Sequence, residues 1–167
     1  MKLLYCKRRT KNEERRTKNE ERSVKSFVPF LGKLYLPGEK KNIKTTLVRL
    51  YFQTMTLGKA KLYYVVDETG GTAHVSYVVP KCFKFSFLDK RDYEIGPCFT
   101  APEFRGQGIY PTVLNYVTEN VGANDAVFYM VVDDKNVASI RGIEKAGFER
   151  CGTVRKVGLF KLYIRER

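Results

Sequence analysis

Phe99-Thr100-Ala101-Pro102-Glu103-Phe104-Arg105-Gly106-Gln107-Gly108-Ile109-Tyr110-Pro111 is the stretch on which the reading of this chain turns. An extended segment ends at Thr100, a short loop follows, and Gly106 and Gly108 stand where a helix begins. The first turn of a helix carries unpaired N–H groups and the positive end of the helix dipole, so it attracts anions. Glycine there lets a phosphate approach the backbone and tolerates positive φ. Pro111 suits a first turn, where a missing N–H costs little. Beyond it, Val113, Leu114, Val117 and Val121 recur on one helical face, and Arg105 adds a cation beside the loop. A dinucleotide fingerprint needs a third glycine and a P-loop ends in Gly-Lys-Ser/Thr; neither is present, so both are excluded.

Outward from this stretch the second half of the chain alternates. Tyr93–Thr100 reads as strand, Gln107–Val121 as helix, Ala126–Val132 as strand and Asn136–Ala146 as helix. The segments Phe148–Arg155 and Gly158–Ile164 again read as strands. Such alternation predicts parallel pairing in a layered α/β architecture. Upstream, Lys61–Val66 and Thr72–Val79 flank the turn residues Asp67-Glu68-Thr69-Gly70-Gly71 and read as a hairpin. In its second strand Ala73, Val75, Tyr77 and Val79 face the core, whereas His74, Ser76 and Val78 form a mixed face. Asn42–Met55 reads as a helix with Leu47, Leu50, Tyr51 and Thr54 on one face and Gly58 as its stop. Ser23–Lys41, broken by Pro29, Gly32, Pro37 and Gly38, reads as loops with one short element.

The glycine loop resembles the phosphate motif of the GNAT acyltransferase superfamily, Gln/Arg-x-x-Gly-x-Gly/Ala. Arg105 and Gly108 match it, and Tyr110 replaces the last small residue. A second family pattern, Asn-x-x-Ala/Ser-x-x-x-Tyr-x-Lys-x-Gly-Phe, is similar to Asn136-Val137-Ala138-Ser139 followed by Ile143-Glu144-Lys145-Ala146-Gly147-Phe148. The resemblance covers about Leu62–Arg155. It implies an α/β (α+β) three-layer fold, with helices on both faces of a central mixed, mostly antiparallel sheet. That sheet is splayed between its fourth and fifth strands, and Gly96-Pro97 supplies a local reason for the splay.

The resemblance also implies a function: direct transfer of an acyl group, acetyl by default, from acyl-CoA to an amine. The acceptor would be a small molecule, sugar or protein. Cys98, Phe99 and Thr100 would face the acyl-pantetheine. Arg105 and the backbone of Gly106, Gln107, Gly108, Ile109 and Tyr110 would hold the pyrophosphate, with Asn136 and Ser139 contacting the cofactor from the next loop. The family's usual acid, a tyrosine, is replaced by Ile143. Candidate catalytic groups are Glu94, otherwise a surface carboxylate, and His74, otherwise a structural strand histidine that is half buried. Tyr110 is the third, and packs against its helix on the bland reading. Cys98 shows no adjacent base to make it a nucleophile.

Composition sets the remaining bounds. The chain has 167 residues, 43% hydrophobic and 29% charged, which suits one globular domain (1–167) without disulfide or metal staples. Lysine and arginine total 31 against 18 acidic residues, a net charge of +13 that attracts phosphates of any origin. Cys6, Cys82, Cys98 and Cys151 are scattered and His74 is the sole histidine, so no metal site is expected. The apolar N-terminal run is short for a signal peptide and no membrane-spanning run follows, so a cytoplasmic protein with reduced thiols is expected. Arg9–Arg15 recurs as Arg16–Arg22, a charged repeat without an apolar seam that reads as an exposed helix or mobile segment. Two other classes remain at this point: an acyl-CoA binder without catalysis, and a basic nucleic-acid or ribosome-associated module, which lacks any RNA-binding signature. Pairing as a homodimer is common in the family.

Overall fold

Period-two patterning and turn chemistry place the strands, and one of them is not where the alternation predicts. The computed structural model describes residues 1–9, 24–29, 34–36, 39, 41–158 and 162–166. The strands are β1 (Lys2–Arg8), β2 (Val24–Phe27), β3 (Lys61–Val66), β4 (Thr72–Pro80), β5 (Tyr93–Thr100), β6 (Val127–Asp133), β7 (Glu149–Val157) and β8 (Leu162–Arg165). The helices are α1 (Ile43–Met55), α2 (Ile109–Asn120) and α3 (Val137–Lys145), with a 3-10 turn at Pro102–Phe104. The strands form one sheet in the order β2-β3-β4-β5-β6-β1-β7-β8. Only β5 and β6 pair in parallel; every other neighbouring pair is antiparallel.

The N-terminal strand interrupts the expected parallel pairing of β6 with β7. β6, α3 and β7 form the expected crossover, but β1 lies between β6 and β7, antiparallel to both. Leu3, Leu4 and Tyr5 are buried there, and each such side chain contributes roughly 1.5–3 kcal/mol. The strand also ties down two helices. Tyr5 donates to Glu144 (2.8 Å), and Lys7 donates to Ala146 O (2.9 Å) and to Asn115 (3.1 Å). Just beyond it, the Arg9 guanidinium donates to the carbonyls of Glu119 (2.6 Å), Val121 and Gly122, and so places a cation on the negative end of α2. The rest of the Arg9–Arg22 repeat lies outside the described residues. With β1 counted, the fourth and fifth strands of the family's scheme are β5 and β6.

Two apolar clusters cover the two sheet faces. α2 and α3 pack on one through Val113, Leu114, Val117 and Ile143; α1 packs on the other through Phe52, against Leu62, Tyr64, Tyr77 and Val79. α1 is capped by Asn42, whose side chain accepts from Lys44 N (2.8 Å), and Gly58 N donates back to Gln53 O (2.8 Å) at its other end. Its buried face is not the expected one. Leu47 and Leu50 are exposed, while Arg49 and Phe52 are buried. An ion pair to Glu39 (2.8 Å) and a hydrogen bond to Tyr77 compensate the Arg49 charge, which apolar periodicity does not register.

In β4 both faces are buried rather than one. A register shift between Ser76 and Val78 accompanies this, and Ala73 joins the α2 side while Tyr77 and Val79 join the α1 side. No helix among the described residues is long and apolar enough to cross a membrane.

Candidate active site

The site begins where the β5–β6 ladder stops. Only Tyr93↔Phe128 and Glu94↔Tyr129 are paired, after which β5 turns at Gly96-Pro97 and the strands part. Pro97 has no N–H to continue a ladder. Two cavities meet in this wedge. A cavity of about 520 Å³ is lined by Cys98, Phe99, Thr100, Arg105, Gly106, Gly108 and the start of α2. A cavity of about 570 Å³ lies on the other side, between Glu94, Lys84 and the rings of α1 and β8. Cys98, Tyr110, Asn136 and Ser139 line both.

The smaller cavity is an anion cradle by construction. Gly106 and Gly108 take φ of 79° and 81°, a region that favours glycine, and a Cβ on either would meet nothing within 4 Å. Gly108 is the N-cap of α2 and no side chain caps the helix, so its first N–H groups have no side-chain acceptor. Arg105 is held by its own Nε donating to Thr100 O (3.1 Å), and Arg141 and Lys145 complete a basic rim. Asn136 caps α3, accepting from Ser139 N (3.2 Å). The expected loop residues therefore line one cavity with Asn136 and Ser139, although Gln107 and Ile109 differ: Ile109 contributes to the wall, whereas the Gln107 side chain folds back onto Glu103 O (3.0 Å).

Behind the cradle runs a buried polar chain. His74 is fully buried, not half buried. Its Nδ1 lies 2.7 Å from Thr100 Oγ1 and its Nε2 lies 2.8 Å from Ser76 Oγ. Ser76 donates to Cys98 Sγ (3.2 Å), and the Cys98 thiol and Tyr110 hydroxyl are hydrogen-bonded in turn. Burial lowers the His74 pKa to about 4, pushes Cys98 up to about 12 and raises Tyr110 well above the usual phenol value. A neutral histidine enclosed by two hydroxyls is a poor base for a group in the wedge, and a thiol so hard to ionise is a poor nucleophile. Tyr110 packs at a tilt against His74, ring centroids 5.6 Å apart, and lies over Gly142, where a Cβ would come within 2.6 Å of the ring. Gly142 is thus a site residue that the sequence reading missed. So is Ser76, whose only signal was its place opposite the apolar face.

The larger cavity holds the group best placed as a base. Glu94 is 5% exposed, not the surface carboxylate of the bland reading, and its Oε2 has no hydrogen-bond partner. Burial pushes its pKa up to about 8, with the positive charge of Lys84 opposing the shift. Gly96 makes room for it: a Cβ there would sit 2.7 Å from Glu94 Oε1. Tyr51, Phe52, Phe85 and Tyr163 form aromatic walls, and Ile143 is buried against the junction. Lys2 and Asp133, paired at 2.8 Å, also line this cavity. Among the described residues no cluster of metal-ligating side chains occurs.

A mixed sheet splayed over a helix N-terminus is an α/β architecture of the GNAT type. The chain belongs to the acetyltransferase (GNAT) family, whose family model matches residues 31–148. β1, β7 and β8, which extend the sheet beyond β6, lie outside that match, as does β2 at the opposite edge. No curated protein matches the chain. Among solved structures it is similar to spermidine N-acetyltransferase from Vibrio cholerae in complex with CoA and spermine (16% identity, 85% of this chain and 91% of that one, TM-score 0.55). It is also similar to a tandem GNAT protein from the clavulanic acid biosynthesis pathway (16% identity, 89% and 50%, TM-score 0.54). A GNAT-family acetyltransferase from Colwellia psychrerythraea is a further match (17% identity, 90% and 52%, TM-score 0.50), so this chain spans about half the length of the last two. At such identities the likeness establishes the fold.

Proposed function

We propose that the protein is an N-acetyltransferase that takes acetyl-CoA in the smaller cavity and an amine in the larger one. The observation that carries this reading is the meeting of the two cavities at the wedge, with a helix N-terminus lacking a side-chain cap in one and a buried carboxylate with an unpartnered oxygen in the other. The cradle suits a diphosphate: N–H groups at the start of α2, open space above Gly106 and Gly108, and Arg105, Arg141 and Lys145 around it. Cys98, Phe99 and Thr100 continue a strand edge freed by the splay, suited to the extended arm of CoA. Acetyl-CoA supplies the activated acetyl group; the chain's own residues orient it and handle the proton.

Glu94 accepts the proton of the attacking amine. A pKa of about 8 leaves it only about 10% ionised at pH 7, so turnover rises with pH through 8. Tyr110 acts as a hydrogen-bond donor at the junction, since burial keeps its phenol protonated. Ile143 offers no proton, and the CoA thiolate leaves with that hydrogen bond alone. The acceptor is an amine on an apolar or aromatic body, matching the rings of Tyr51, Phe52, Phe85 and Tyr163. A polycation such as the one bound to the Vibrio protein is disfavoured, because Lys84 lines the cavity and Glu94 is largely uncharged at neutral pH.

Calorimetry with acetyl-CoA tests the reading, using the wild type beside Gly108→Glu, which puts a carboxylate into the cradle and a side chain at φ +81°. Micromolar binding by the wild type, weakened at least ~100-fold in the variant, is expected. Thiol release in a screen of monoamines then measures turnover. A folded wild type that binds no acetyl-CoA would overturn the proposal.

A further inference from the structure

The acceptor cavity already contains an amine. Lys84 lies in the loop between β4 and β5, and its backbone carbonyl accepts from Tyr163 N (2.8 Å), which fixes the loop against β8. Its Nζ sits among four rings, 4.8 Å from the centroid of Phe52, 5.2 Å from Tyr51, 5.5 Å from Phe85 and 5.9 Å from Tyr163. Ion pairs formed by the described residues do not include it. It lines the same cavity as Glu94, Pro97, Cys98 and Tyr110, so no wall separates the amine from the wedge.

We propose that Lys84 is a self-acetylation site, its Nζ serving as an intramolecular acceptor for acetyl-CoA. This rests on the acetyl-CoA reading above. The lone pair of neutral Nζ forms a bond to the acetyl carbonyl carbon and the C–S bond breaks. One amine proton passes to the Glu94 carboxylate and CoA leaves as its thiolate, giving Nε-acetyl-Lys84. Burial favours the neutral amine by lowering the Lys84 pKa, although the ring faces favour the cation and Glu94 opposes the shift. The other groups that bear on Lys84 are Cys82 and, from β7, Lys156; Tyr51 and Tyr163 face it as rings. Because amine and carboxylate must both lose their protons first, the reaction accelerates as pH rises through about 8. Acetylation then removes a positive charge from the cavity and replaces it with a neutral amide among the rings, so the modified protein presents a different pocket to external amines.

The experiment is time-resolved mass spectrometry of the full chain with deuterated acetyl-CoA, with peptide mapping and parallel calorimetry. Lys84 is expected to gain one acetyl group at least about tenfold faster than exposed Lys90, with a first-order rate independent of protein concentration. Glu94→Gln is expected to slow it by at least about tenfold. Lys84→Arg, which keeps a cation among the rings, should abolish that adduct while acetyl-CoA binding persists. Bound acetyl-CoA with Lys84 unmodified, or modified no faster than Lys90, overturns the proposal, as does a rate that grows with protein concentration. Absence of acetyl-CoA binding in the calorimeter overturns the parent reading and this one together.

Discussion

The two cavities that share Cys98 and Tyr110 are made of different material. The smaller is mostly backbone: a helix start, two glycines at positive φ and a freed strand edge, with arginine and lysine at its rim. The larger is mostly side chain: Glu94 from β5, Lys84 and Phe85 from the β4–β5 loop, Tyr51 and Phe52 from α1, Tyr163 from β8 and Lys2 from β1. A backbone cradle recognises a constant group, because N–H geometry is nearly independent of sequence. A side-chain cavity changes with every substitution, so the second half of the site is the one that sets an acceptor. The comparison makes a strong demand: changes in the larger cavity should alter turnover without altering acetyl-CoA affinity.

Glu94→Gln gives the largest separation. If Glu94 is the base, kcat for any amine falls ~10²–10⁴-fold, while the acetyl-CoA Kd from calorimetry stays within about twofold, because the neutral amide replaces a carboxyl that is already largely protonated at pH 7. A fall in both together would mean that the cavities are not separable at β5. Gly142→Val attacks the shared wall instead. Its Cβ would overlap the Tyr110 ring at 2.6 Å, so the ring must shift into the junction. Both kcat and acetyl-CoA affinity should worsen, each by roughly tenfold, with about 1–3 kcal/mol lost from stability in urea titrations. Loss of one without the other would remove Tyr110 from the junction.

Lys84→Met is subtler. Lys84 holds the Glu94 pKa down, so removing its charge raises that pKa further and moves the rise of the pH–rate profile to higher pH. At pH 7 the rate should drop a few-fold, and at pH 9.5 it should recover, with the acetyl-CoA Kd unchanged. A profile that stays in place would show that Lys84 and Glu94 do not sense one another.

The same division explains what was legible in the sequence. The cradle is local: Arg105 to Pro111 are contiguous, and glycine, proline and apolar spacing report backbone conformation directly. The wedge was legible for the same reason, through Gly96-Pro97. The larger cavity was not, because its walls come from elements as distant as Lys2 and Tyr163, and pairwise proximity leaves no local trace. Glu94 and His74 read as surface or half-buried groups because their burial depends on neighbouring strands and on α2, not on their own flanks. α1 misled through Leu47 and Leu50, whose spacing suits a core face, whereas the buried position belongs to Arg49 with distant partners in Glu39 and Tyr77. β1 went unread because Leu3-Leu4-Tyr5 is too short a run to declare itself a central strand.

Burial of one titratable group beside each cavity leaves the smallest net effect in the wild type, because the two groups pull in opposite directions. His74, behind the cradle, has its pKa lowered to about 4 from 6.5. Its neutral form therefore contributes stability that is complete above pH 6.5 and lost as pH falls through 4, at most about 3 kcal/mol. Glu94, beside the acceptor cavity, has its pKa raised from 4.5 to about 8. Its protonated form contributes stability that is complete below pH 4.5 and lost as pH rises through 8, at most about 5 kcal/mol. Between pH 6.5 and 4.5 the two slopes oppose each other, and the wild-type unfolding free energy should be comparatively flat. Glu94→Gln removes one slope, so that variant should lose stability steadily on acidification from pH 6.5 to 4.5. His74→Gln removes the other, so that variant should gain over the same interval, from a lower starting point because the Ser76 and Thr100 contacts are remade. Urea titrations of the three proteins at pH 8, 6.5 and 4.5 measure this directly. Parallel curves for wild type and Glu94→Gln would mean that the Glu94 carboxyl reaches water in solution, and the base would then have to be sought elsewhere in the larger cavity.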